Sequence, residues 1–124
     1  MRHQRQLRAI KIDVYKRLIS EVIIGDGIDD IKGHIDCDLF TVADNFNLDA
    51  GSALWDSLFV DDEGLLIPGK PIFKFNPPGW RYQNEFAGNG LILGVDMNTG
   101  ESEDARLPLL DVANYVEWTP FVTS

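Results

Sequence analysis

The apolar runs of this chain are strand-sized, and turn formers close them. Stretches such as Leu58-Phe59-Val60 and Leu91-Ile92-Leu93 end at aspartate or glycine within a residue. They fall far short of the roughly 20 residues that span a bilayer. A chain of 124 residues with 44% hydrophobic content suits one core. The expectation is therefore a single domain of many short strands, occupying 7–124 behind a basic, flexible tail at 1–6.

From Leu7 to Val14 apolar residues alternate with Arg8, Lys11 and Asp13, the two-residue period of a half-buried strand. Tyr15-Lys16-Arg17 reads as a turn, and the β-branched run Leu18 to Ile24 completes a hairpin that ends at Gly25-Asp26-Gly27. The period then changes. Ile28, Ile31 and Ile35 are spaced by three and four, and Asp29 and Asp30 sit where a helix N-terminus favours anions. Asp38 to Val42 reads as a strand, followed by a polar connection through Asn45, Asn47, Asp49 and Gly51, and Ala53 to Val60 returns to apolar character.

Asp61-Asp62-Glu63-Gly64 predicts a hairpin between Leu58-Phe59-Val60 and Leu65-Leu66-Ile67. Ile72 to Phe75 is a short strand that Asn76-Pro77-Pro78-Gly79 ends, because proline cannot donate to a ladder. Residues 76–90 (NPPGWRYQNEFAGNG) form the longest irregular stretch. Leu91 to Val95 is a buried strand closed by a turn at Asp96 to Gly100. After the polar run from Glu101 to Arg106, Pro108 opens a helix with the stripe Leu109, Leu110, Val112, Ala113 and Val116, and a last strand spans Val116 to Thr119. The order β-β-α-β-β-β-β-β-α-β predicts an α+β fold. Its sheet is mostly antiparallel or mixed, has about six to eight strands, and carries two short helices on one face.

Charge is unevenly placed. Residues 1–17 hold Arg2, Arg5, Arg8, Lys11, Lys16 and Arg17 against Asp13 alone, a net +5, while the rest sums to −14, giving −9 overall. An acidic body repels phosphate backbones, so direct nucleic-acid binding is disfavoured. The basic start either clamps acidic groups or, as favoured here, remains a solvated tail. It is not followed by an apolar block with a small-residue cleavage site, so secretion is not expected. A lone Cys37 cannot form an internal disulfide, which suits a cytoplasmic setting.

Candidate chemistry is sparse. Asp96-Met97-Asn98-Thr99-Gly100-Glu101 begins like a calcium loop, but Gly100, Glu101 and Leu107 stand where Asp or Asn, Gly and Glu are required, so a hairpin turn is favoured. His34, Asp36 and Cys37 offer metal-type atoms without the three or four convergent ligands zinc needs. The carboxylate pairs Asp29-Asp30 and Asp61-Asp62 and the run Glu101 to Asp104 fall in turns or a helix start, where solvated acids are expected. Nucleophile elbows and phosphate-cradling motifs are missing. No metal, cofactor or catalytic residue is therefore assigned.

Recognition falls to Trp80, Arg81, Tyr82 and Phe86, with Arg106 as a further cation. Trp, Tyr and Arg bring large contact area and a planar cation at low entropic cost. The competing reading is that Trp80 and Tyr82 cover the sheet while Arg81 pairs with Glu85.

The segments Val60-Asp61-Asp62-Glu63-Gly64-Leu65-Leu66 and Phe86-Ala87-Gly88-Asn89-Gly90-Leu91-Ile92-Leu93-Gly94, followed by a C-terminal helix, form a pattern. Over roughly residues 7–119 it resembles a family of small uncharacterised domains carried by bacteriophages, plasmids and their bacterial hosts. The resemblance implies a mobile-element origin, with anti-defence activity as an analogy, and no catalytic residue to carry over. The expected function is a non-enzymatic module that binds a protein partner, as a homodimer. Alternatives are a protein that sequesters a nucleotide signal through Trp80, Arg81 and Arg106, or an acidic decoy of nucleic-acid-binding proteins.

Overall fold

The computed structural model describes residues 5–25, 27–37, 39–46, 51–62, 69–78 and 85–119. Alternation from Leu7 builds β1 (Gln6–Asp13), and the run after Arg17 builds β2 (Leu18–Gly25), paired antiparallel along their full lengths. The Asp13 carboxylate makes the turn by accepting the N–H groups of Tyr15 (3.1 Å) and Lys16 (3.0 Å). Helix α1 (Ile28–Ile35) carries Asp29 and Asp30 in its first turn and ends at Asp36, whose left-handed φ of 62° lets its N–H reach Lys32 O at 2.8 Å.

Strands β3 (Phe40–Phe46), β4 (Leu54–Asp61), β5 (Ile72–Phe75), β6 (Glu85–Ala87), β7 (Gly90–Asp96) and β8 (Ser102–Glu103) follow, then α2 (Leu109–Tyr115) and β9 (Val116–Trp118). The pairings are antiparallel and make two sheets. A six-stranded sheet runs β2-β1-β7-β4-β3, with β8 added on β7 where β1 stops, and a three-stranded sheet runs β6-β5-β9. The α+β expectation holds. No helix among the described residues is long and apolar enough to cross a membrane.

Several expectations change. The sheet is split in two, and the helices lie on opposite faces of the large one. The reason is that β1 and β7 are apolar on both sides. Leu7, Ala9, Leu91 and Leu93 pack with Ile31 and Ile35 of α1, while Ile10, Ile12 and Ile92 pack with Phe73, Phe75 and Val112 of the small sheet and α2. Strand β4, expected to pair with 65–67 across Asp61 to Gly64, pairs instead with β3 on one side and β7 on the other; residues 63–68 lie outside the described residues. Asn45 belongs to β3 rather than to a connection, opposite Ser57, whose hydroxyl donates to Asn45 Oδ1. Val116 leaves the helix to pair with Phe75.

Of the tail expected at 1–6, only Arg5 and Gln6 fall among the described residues. Residues 1–4 lie outside the description, Gln6 is already in β1, and Arg5 and Arg8 pair with acids of their own chain. Arg5 Nη2 meets Glu103 Oε2 at 2.7 Å, and Arg8 Nε meets Glu21 Oε2 at 2.8 Å.

Candidate functional site

Two features on the α2 face of the large sheet gather candidate residues, and each is built around a glycine of β7. At one end, a Cβ on Gly90 would stand 2.9 Å from Phe73 Cζ, so only glycine lets the small sheet settle there. Phe73 is fully buried and pairs with Phe86 across β5 and β6, their ring centroids 5.7 Å apart. Phe75 meets Phe46 at 5.8 Å and Tyr115 at 6.1 Å, and Asn76 N–H donates to Tyr115 O at 2.8 Å. Lys74 and Glu85 close the pair with a 3.8 Å ion pair.

Strands β5 and β6 are thus the two arms of a hairpin, and residues 76–84 are its connection. Trp80, Arg81 and Tyr82 belong to that connection and lie outside the described residues. Phe86, expected as a contact residue, is half-buried in the stem against Phe73. The irregular stretch predicted at 76–90 is interrupted by β6, and Gly88 and Gly90 have folding roles. Gly88 takes a φ of +82°, and the buried Asn89 accepts the Val14 N–H at 3.0 Å.

At the other end of β7, residues 104–107 cross over Gly94, where a Cβ would lie 2.2 Å from Asp104 O. Asp56, fully buried, holds this crossing: its carboxylate accepts the N–H of Arg106 (2.9 and 3.1 Å) and of Leu107 (2.9 Å). Burial pushes the Asp56 pKa above the ordinary carboxylate value, against the two backbone bonds and the nearby Arg106 and Arg8, which favour the charged form. Arg8 grips the crossing from β1. Its backbone accepts Ala105 N–H at 2.8 Å, and its guanidinium donates to Ala105 O (2.7 Å) and Leu107 O (3.1 Å).

Arg106 therefore enters the structure through its backbone, while its guanidinium Nη1 reaches Ser52 Oγ (3.1 Å) and Leu54 O (3.4 Å). It stands at the same end of the sheet as the base of the 76–84 connection, since Phe75 touches Phe46, and Phe46 pairs with Asp56. Sequence reasoning missed Asp56. Its signal was parity: Asp56 shares a strand face with Leu58 and Val60, a carboxylate in an apolar row.

The remaining candidates resolve as follows. Asp96 to Glu101 forms the β7–β8 turn, with Asp96 Oδ1 accepting Asn98 N–H (2.9 Å) and Gly100 at a φ of +77°. Asp61 pairs with Lys70 at 2.6 Å in a largely buried bridge, and that bond raises the lysine pKa. His34 is half-buried, and its pKa is lowered by desolvation and then by Lys11, against Asp30. Cys37 is half-buried beside the end of α1. Among the described residues no group of three or more His, Cys, Asp or Glu side chains is placed to hold a metal ion. Comparison of the chain with protein-family models, curated proteins and solved structures finds no match.

Proposed function

We propose that the protein is a non-enzymatic binding module of mobile-element origin that recognises a protein partner through the connection 76–84. One observation carries this reading: β5 and β6 form a paired, core-anchored stem, and the chain between its arms holds Trp80, Arg81 and Tyr82. A stem fixed by Phe73, Phe75 and the Asn76 bond to Tyr115 lowers the entropy that a partner must overcome. The three side chains are of the types that dominate binding hot spots. The resemblance over residues 60–66 and 86–94 supports the origin, and a partner in a bacterial host follows from it.

The test is affinity capture from a bacterial lysate with the wild type and with Trp80→Ala and Arg81→Ala. Both variants should lose at least tenfold in recovered complex, because hot-spot truncations cost about 2 kcal/mol or more. Their melting temperatures should stay close to wild type. Recovery equal to wild type in both variants would remove 76–84 from the reading.

A further inference from the structure

We infer that the outer edge of β2 is the surface through which two copies of this chain pair, β2 against β2, into one continuous sheet. Among the described residues β2 has β1 on one side and no strand on the other. Sheet edges are ordinarily blunted by bulges, proline, short length or charge. The opposite edge follows that rule, since β3 shifts register between Val42 and Asp44. The β2 edge does not: it pairs with β1 without a register shift from Leu18 to Gly25, contains no proline, and carries Glu21 as its sole charge.

Apolar side chains flank this edge on both faces. Ile23 is 61% exposed on the α2 face, and Leu18 is 52% exposed on the α1 face. Leu110, on the helix that packs over β2, is 76% exposed. Such a border suits burial against another strand.

Register and charge select a second copy as the occupant. Two antiparallel edges related by a two-fold axis normal to the sheet keep their α1 faces on the same side, so residues that face each other must share parity. Centring the axis on Glu21 sets two like charges opposite, which is unfavourable. Centring it on Val22 aligns Ile19–Gly25 of one strand with Gly25–Ile19 of the other, and each Glu21 faces the partner copy's exposed Ile23.

The same register carries the exposed Lys16-Arg17 turn of one copy past the end of β2 to the start of the other copy's α1, where Asp29 is exposed. Copies that each bear −9 repel in general. This pairing sets cationic against anionic ends twice, once on each side of the axis. The surface is separate from residues 76–84, so this inference and the proposed function can fail independently.

The experiment is sedimentation equilibrium of the full chain up to about 100 µM at low and high salt, a range that captures weak dimers. The expected result is a dimer that weakens as salt rises. Ile23→Glu, which would set two glutamates opposite each other across the pair, and Leu18→Glu, both at exposed positions, should each weaken it at least tenfold while leaving the circular dichroism and melting temperature near wild type. Lys16→Glu and Asp29→Lys should each weaken the dimer, and their combination in one chain should restore it, which a merely structural role for either residue would not produce. A folded wild type that stays monomeric throughout overturns the inference. So does a dimer indifferent to both edge variants, or a double charge variant no tighter than the singles.

Discussion

Replacing Asp56 by alanine should lower the stability of the fold by about 2–4 kcal/mol, and the structure shows where that figure comes from. The carboxylate accepts three hydrogen bonds from two backbone donors, Arg106 N–H and Leu107 N–H, and is itself fully buried. Alanine leaves both donors without an acceptor, at about 1–3 kcal/mol each, and opens a small cavity as well. Relief from burying a charge offsets part of this, and that burial is also what raises the pKa of Asp56.

Asp56→Asn keeps the shape and one acceptor oxygen but turns an NH2 group toward a donor, so it should recover only part of the loss. The pH dependence follows from the direction of the shift. With the folded pKa above the unfolded one, the folded protein binds more protons between the two values, and stability from this group falls as pH rises through that window. The margin of wild type over Asp56→Asn should therefore be larger below the ordinary carboxylate pKa than at neutrality. Urea unfolding followed by circular dichroism measures both quantities. A loss of less than about 0.5 kcal/mol for Asp56→Ala, the range of ordinary surface substitutions, would refute the view that this carboxylate locks the crossing.

Two further outcomes are expected. Gly94→Ala should destabilise by about 3 kcal/mol or more and Gly90→Ala by about 1–3 kcal/mol, because the first Cβ would meet the backbone oxygen of Asp104 and the second the tip of a Phe73 side chain; denaturant midpoints in the reverse order would contradict this. His34, whose folded pKa is lowered, loses stabilising effect as pH falls through the ordinary histidine value toward the lowered one, so His34→Gln should flatten the stability profile just below about pH 6.5, and an unchanged slope would show that the residue does not contribute there.

What sequence reveals here is what local chemistry decides. Alternation specified β1, the β-branched run specified β2, and Ile28, Ile31 and Ile35 specified α1, because each pattern reports the face that its own element buries. The division into two sheets was not visible in this way. It depends on β1 and β7 being apolar on both faces, and a run such as Leu91-Ile92-Leu93 states that both sides need cover without stating which elements supply it. The partners of β4 differ from the expected hairpin for the same reason. Turn formers mark where a chain can reverse, but β4 is claimed on both sides by β3 and by the distant β7. Strand β6 was hidden because its three residues pair, among the described residues, with β5 alone, across a connection dominated by turn formers.

The proposed recognition site was legible in type and not in setting. Trp80, Arg81 and Tyr82 stand out by composition, whereas the support for the stem that carries them lies in residues that sequence inspection passes over. Gly90 admits Phe73, Phe73 and Phe75 seat β5, and β5 holds β6, so the stem of 76–84 is fixed by the core of the large sheet. Gly94 and Asp56 fix the other end of the same layer by holding the crossing that leads into α2 and β9, and β9 is the second neighbour of β5. The connection is thus supported from both ends of β7. On the proposed function, substitutions at 80–82 are expected to alter partner capture directly, whereas those at Asp56, Gly90 and Gly94 act through the stability of the stem and the crossing.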